Sequence, residues 1–219
     1  SLYVSYKQYG PEIYRGKVEV TNGRFNLKFV VPKDVSYGGK RARISSYALS
    51  STSGASGYRF PIAIGSINKD ITDTTGPDLT VYFADDPAKG DGAQVSQNAR
   101  VTMELFDSLG INLSGDIGHA IEVAIDDSRE LTFALTDSFA YDAGSYQRGK
   151  ATMTLPQLTP GEHRLKVKAW DSANNSSQKE LAFKVSSTSG LEITQLLCYP
   201  NPVADKCQFA YILSEEAAA

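Results

Sequence analysis

Soft ligands and nucleophiles are scarce in this sequence. Two Cys, Cys198 and Cys207, and two His, His119 and His163, are the whole supply in 219 residues. A four-ligand Cys/His zinc site would need all of them, and neither a CxxC nor an HxxxH spacing is present. Acid–base pairs are equally thin. His119 with Glu122 and His163 with Glu162 lie close in sequence, but adjacent strand residues such as Glu162 and His163 point to opposite faces. Positive charge is not in excess: 22 Lys and Arg stand against 25 Asp and Glu, for a net charge of −3. A sequence-independent grip on nucleic acid needs a basic face, so no nucleic-acid partner is expected. No run reaches the roughly 18 apolar residues that span a bilayer, so no direct membrane span is expected. Helical periodicity is missing too, apart from a short Ser214–Ala219 tail that is marginal as a helix in water. No signal peptide is expected at the start of this sequence, because Ser1–Tyr6 already alternates like a strand. The first residue is not Met, and the sequence reads as part of something longer.

What is present points to strands. The hydrophobic fraction is 41% and the charged fraction 21%, values of a globular chain. Twelve Tyr and nine Phe, against two Met and one Trp, favour β-structure. Length alone predicts one or two domains. Tyr14–Val20 and Phe25–Val31 are alternating runs separated by Asn22-Gly23, a strong hairpin signal because both turn residues accept positive φ. Arg41–Leu49 and Tyr58–Ile64 read as two more strands around a flexible Ser50–Gly57 loop. Residues 1–65 thus resemble an incomplete β-sandwich. The polar stretch 66–77, ending in Thr74-Thr75-Gly76-Pro77, reads as a linker.

The block 78–186 is more regular. Its strand-like runs are Leu79–Ala84, Ala99–Asp107, His119–Asp126, Glu130–Leu135, Lys150–Leu155, His163–Trp170 and Lys179–Val185. Alternate apolar residues such as Val101/Met103/Leu105 and Leu181/Phe183/Val185 mark one face of each. About seven short strands over roughly 100 residues is the pattern of an immunoglobulin-like sandwich. The antibody Cys–Trp–Cys arrangement is absent, so Trp170, beside Lys166 and Lys168, is expected over a sandwich edge or an inter-domain contact. After a second linker, residues 187–219 read as the first strands of a third unit. The expected fold class is therefore all-β: tandem immunoglobulin-like sandwiches, the first incomplete, followed by the start of a third domain.

Several groups are candidate sites. Cys198 and Cys207 flank Pro200-Asn201-Pro202. Adjacent strands can supply the Cα spacing of about 4.4–6.8 Å that a disulfide needs. Two free, partly buried thiols are the equal alternative. Asp85, Asp86, Asp91 and the loop Asp107–Asp116 carry oxygens that Ca²⁺ could use. That ion takes six to eight ligands and no EF-hand spacing occurs, so solvated loops are the competing reading. Tyr3, Tyr6, Tyr9 and Tyr14 mix odd and even positions, which suits packing better than one carbohydrate-binding face. The expectation is no catalytic residue, no metal and no cofactor within this chain.

Specific motifs carry a resemblance. Leu197-Cys198-Tyr199-Pro200-Asn201-Pro202 followed by Gln208-Phe209 looks like the opening of the C-terminal domain of type IX secretion cargo. The stretch Gly161–Ser177 resembles the hairpin that precedes this domain in the gingipain-like cysteine peptidases of Bacteroidetes that act as type IX sortases. Ser108–His119 resembles an S-G-I-N…G-I-G-H stretch of the same family, and Tyr14–Lys17 through Phe25–Asp34 matches their preceding sandwich. Cys198 and Cys207 depart from it, since polar residues are more common there.

The resemblance implies a non-catalytic stalk and docking region of a cell-surface sortase. Its parent would be a cysteine endopeptidase that removes cargo C-terminal signals and transfers cargo to a lipopolysaccharide anchor. The catalytic Cys and His of that family lie in an upstream caspase-like domain, and nothing here matches it. The implied partners are that upstream domain and the outer-membrane β-barrel PorV. The implied location is the extracellular face of the outer membrane. Asp73-Thr74-Thr75, Asp107-Ser108-Leu109 and Asp171-Ser172-Ala173 resemble the Bacteroidetes O-glycosylation triplet, which makes Thr74, Ser108 and Ser172 candidate acceptors. The runner-up is an adhesin- or glycan-binding module of another type IX secreted surface protein.

Overall fold

The structure is a computed structural model that describes residues 10–35, 39, 42–66, 70–115, 118–186, 193–202 and 205–213. Tyr3, Tyr6, Tyr9, Asp116, the 187–190 linker and the Ser214–Ala219 tail lie outside the described residues. Among the described residues the protein is β throughout, with one 3₁₀ turn at Thr136–Ser138.

Two sheets form a sandwich. One contains β3 (Asp78–Phe83), β5 (Arg100–Phe106), β9 (Arg148–Thr154) and β8 (Ala140–Tyr141), in that order. The other runs β4 (Ala93–Val95), β11 (Ser176–Val185), β10 (Gly161–Trp170), β6 (Glu122–Ile125) and β7 (Thr132–Ala134). The first order is A-B-E-D of an immunoglobulin domain and the second contains G-F-C with two strands added, β4 beside G and β7 beside C, so the expected fold class is observed. Alternation explains the core. Val101, Met103 and Leu105 of β5 face Leu165 and Val167 of β10 and Leu181, Phe183 and Val185 of β11, and all are buried. Phe83 and Phe183 meet across the layers with ring centroids 5.0 Å apart. Each such side chain contributes about 1.5–3 kcal/mol of burial free energy. Strands β4 and β8 escape the sequence reading because they have only three and two residues. Strand β4 is held by its neighbour, pairing parallel with Phe183–Val185.

The Asn22-Gly23 turn forms as expected. Asn22 has φ 52° and Gly23 φ 73°, and Thr21 and Arg24 exchange bonds of 2.9 and 3.0 Å. Its arms do not build an extended ladder with each other. The first arm runs along the sandwich instead: Tyr141 N–H donates to Arg15 O (3.2 Å) and Gly144 N–H to Lys17 O (2.7 Å). Tyr14 stacks between Phe29 and Tyr141, at centroid distances of 5.0 and 5.1 Å, and its hydroxyl donates to Ser145 O. This segment thereby covers the free edge beside β8, where unpaired backbone groups would otherwise face solvent.

Two hairpins stand apart from these sheets. Strands β1 (Ala42–Leu49) and β2 (Gly54–Ile62) pair only with each other, as do β12 (Ile193–Tyr199) and β13 (Gln208–Leu213). Strand β2 begins at Gly54, so only Ser50–Ser53 of the expected loop turns. Ser50 closes that turn through bonds from its N–H and hydroxyl to Ser53 O, and Leu49 pairs with Gly54.

Candidate functional site

One end of the sandwich gathers most of the buried polar chemistry. The β5–β6 loop from Asp107, the five-residue β10–β11 turn (171–175), and two segments that precede the sandwich in sequence meet there. The turn is built by Asp171, whose Oδ1 accepts from Ala173 N–H (2.9 Å) and Asn175 N–H (2.6 Å), while Asn174 takes φ 70°. Asp107 Oδ1 accepts from Leu109 N–H (2.7 Å), and Asp73 Oδ1 from Thr75 N–H (3.0 Å). All three Asp-Ser/Thr triplets are therefore Asx turns, in which a carboxylate caps the N–H two residues on.

The three carboxylates also converge. Asp73, Asp107 and Asp171 place one oxygen each within 4.8 Å of one another, and Asp107 and Asp171 are buried. Burial first, and then the charges of Asp171 and Asp73, push Asp107 up to about 6. Burial also raises Asp171, against hydrogen bonds from Asn175 and Ala173 that lower it. As a cation site the group is short of the six to eight oxygens Ca²⁺ takes, and one oxygen of each carboxylate already serves its turn. The other acidic residues considered for calcium are dispersed. Asp85 pairs with Arg100 and Thr102, Asp86 caps Ala88, and Asp91 caps Ala182.

A second polar cluster lies on the same loops. Asp34 Oδ2 accepts from Asn112 Nδ2 (2.9 Å), Ser114 Oγ (3.0 Å) and His119 Nδ1 (2.8 Å). Burial alone would raise the Asp34 carboxyl, but these bonds outweigh it and hold the group below the ordinary carboxylate range. His119 meets the edge of Trp170 at 4.5 Å, and Lys168 Nζ sits 4.6 Å from the same ring. Trp170 thus packs on His119, which in turn bonds Asp34 of the preceding segment. Ser114 and His119 both bond Asp34 rather than each other, so this Ser/His/Asp set lacks a nucleophile–base bond.

The remaining candidates separate. His163 Nδ1 meets Asp126 Oδ2 at 2.7 Å and Nε2 meets Thr159 O at 2.7 Å, away from Glu162. Among the described residues no group joins Cys to His as metal ligands. Cys198 and Cys207 are partly exposed and unbonded, with their thiols hydrogen-bonded to each other, which raises Cys198. Thr74 and Ser108 are exposed. Ser172, unlike these two, is buried, and its hydroxyl donates to Gly110 O (3.1 Å). Sequence reasoning missed Asp34, Asn112 and Asn175, whose partners lie far away along the chain or in another loop. The signal it did have was the shared Asp-Ser/Thr pattern of three triplets.

No family model matches the sequence, and no curated protein matches it. Among solved structures, the chain is similar to dimeric latent PorU from Porphyromonas gingivalis. The two share 29% identity, with a TM-score of 0.50, over 90% of this chain and 19% of that one. The chain spans about a fifth of that protein's length, and the likeness supports a PorU-related region of β-sandwich fold.

Proposed function

We propose that this chain is a non-catalytic stalk and docking region of a type IX secretion sortase. Its parent is a gingipain-like cysteine endopeptidase that removes C-terminal signals from cargo and transfers the cargo to a lipopolysaccharide anchor. The observation that carries this reading is the likeness to PorU across 90% of the chain at 29% identity. The Tyr199-Pro200-Asn201-Pro202 motif supports the same assignment at the tail. The role is mechanical. A rigid sandwich sets a distance between a protease domain and the outer membrane, and the tail unit docks on the PorV barrel at the extracellular face.

Two preparations test this: the purified chain, and the full-length gene product with residues 10–213 deleted. The purified chain is expected to leave a type IX signal peptide intact. The deleted protein is expected to hydrolyse a short soluble peptide yet to be lost from the cell surface. Signal cleavage by the chain alone, or normal surface retention of the deleted protein, overturns the proposal.

A further inference from the structure

The β1–β2 hairpin is the exposed part of a closed excursion, and both feet of that excursion stand on one turn of the sandwich. On the way out, Lys33 N–H donates to Ser172 O (2.9 Å), and Asp34 is gripped by Asn112, which also reaches Asn174 (3.3 Å). On the way back, Asn175 Nδ2 donates to Asp73 O (3.1 Å). Gly76 then passes so close to β11 that a Cβ there would lie 2.5 Å from the Ser176 carbonyl carbon. Pro77 is buried behind it. The stretch expected to be a linker is therefore fastened from Asp73 onward, and the hairpin between the feet projects as a finger.

Its chemistry differs from the rest of the chain. Residues 35–69 contain Lys40, Arg41, Arg43, Arg59 and Lys69 and no Asp or Glu, so all 25 acidic residues lie elsewhere. Register places Tyr47 and Leu49 on the same face as Tyr58, and Arg43 stacks over the Tyr58 ring at 4.4 Å. Tyr47, Leu49 and Tyr58 are 69%, 75% and 70% exposed. Tyr, Ser, Gly and Arg dominate the hairpin, and these residue types supply rigid contact area with adaptable hydrogen bonding in protein-binding loops. The sheet has two strands, so among the described residues neither outer edge carries a further strand, which leaves both edges open to strand addition.

We propose that this finger binds an acidic, extended polypeptide segment that adds as a third strand to the hairpin edge. Strand addition draws affinity from backbone hydrogen bonds and selectivity from alternating side chains. An added strand directs its side chains to both faces in turn. Its carboxylates can therefore meet Arg43 on one face and Arg59, one pair along from Tyr58, on the other. The inference goes beyond the stalk reading and does not depend on the identity of the parent protein.

The test is fluorescence anisotropy of the whole chain with a labelled Glu-Thr octapeptide in the order Glu-Glu-Thr-Thr, which places carboxylates on both faces of a strand, a Lys-Thr control in the same order, and a Glu-Thr peptide carrying Pro at alternate positions. The expected result is salt-sensitive binding of the Glu-Thr peptide alone. The Pro peptide keeps carboxylates but loses the ladder hydrogen bonds, so it is expected not to bind. Arg43→Glu with Arg59→Glu is expected to weaken the acidic peptide about tenfold and to create binding of the Lys-Thr peptide. Arg59→Glu alone, which leaves the Arg43–Tyr58 stack intact, is expected to weaken it about threefold. Equal binding of the Pro peptide, indifference to charge reversal, or binding of heparin or phosphatidylglycerol vesicles but not of the Glu-Thr peptide overturns the proposal.

Discussion

Replacing Asp107 by Asn tests the electrostatic account of the loop cluster most directly. Asp107 is buried beside Asp171 and Asp73, and its folded pKa of about 6 exceeds the reference value of 3.8. Between these values the folded chain holds a proton that the unfolded chain releases. Stability from this group is therefore complete below pH 3.8 and is lost as pH rises through 6. The difference of about two units corresponds to about 3 kcal/mol. That is an upper value, because Asp73 is half-exposed and water screens its charge. The Asn side chain keeps an oxygen for Leu109 N–H and removes the charge. We expect Asp107→Asn to stabilise the protein by about 1–3 kcal/mol at pH 7.5, with the gain shrinking steadily toward pH 4. Urea unfolding followed by the fluorescence of Trp170, the single tryptophan, measures this at several pH values in the presence of chelator. A variant less stable than the parent at pH 7.5, or a gap independent of pH, would refute the reasoning.

Three further outcomes follow from the same geometry. Tyr14→Ala removes two ring stacks and the bond to Ser145 O, and is expected to cost about 2 kcal/mol in urea unfolding; Tyr14→Phe, which keeps the stacks, costs about 1 kcal/mol or less. Burial lowers the His163 pKa, but the bonds to Asp126 and Thr159 O outweigh it, so the net direction is upward from 6.5. Stability from this residue is then full below pH 6.5 and is lost as pH rises through the raised value; an NMR titration should place the midpoint above 6.5, and His163→Gln should flatten that limb of the stability profile. Cys198 and Cys207 are expected to close into an intramolecular disulfide with oxidised glutathione, leaving no thiol to alkylate until reductant is added; intact mass shows this, and two labels after oxidation would exclude the bridge.

The sandwich was largely legible because its strands obey period two. Val101/Met103/Leu105 and Leu181/Phe183/Val185 are inward rows in the sequence and in the core alike. Local pattern fails where an element owes its existence to a distant partner. Residues 14–17 alternate like a strand of their own sheet, yet their carbonyls are taken by Tyr141 and Gly144, over 120 residues away. The Gly76-Pro77 pair has loop composition, but the missing Cβ of Gly76 serves close packing on Ser176 rather than freedom. The Asp triplets were visible as a pattern and opaque as a cluster. Each is a local Asx turn, and only the fold brings Asp73, Asp107 and Asp171 together.

The distribution of order follows from this anchoring. The sandwich buries continuous apolar rows in both sheets, so it supplies rigidity and little chemistry. The two-stranded hairpins bury little and expose Tyr47, Tyr58, Tyr199 and Phe209. An isolated two-stranded hairpin is marginally stable in water. Its exposed aromatic face therefore gains most from a partner that adds a strand or covers the rings. For the finger, the feet at Lys33–Asp34 and Asp73–Pro77 reduce the ordering cost of such an encounter, because the root is already fixed by hydrogen bonds to Ser172 and Asn175. Loosening one foot should thus weaken a partner more than it weakens the sandwich. Asn175→Ala removes the grip on Asp73 O without touching the hairpin. It should lower affinity for the acidic peptide several-fold while the β1–β2 residues stay unchanged, and unchanged affinity would show that the finger binds without help from its root.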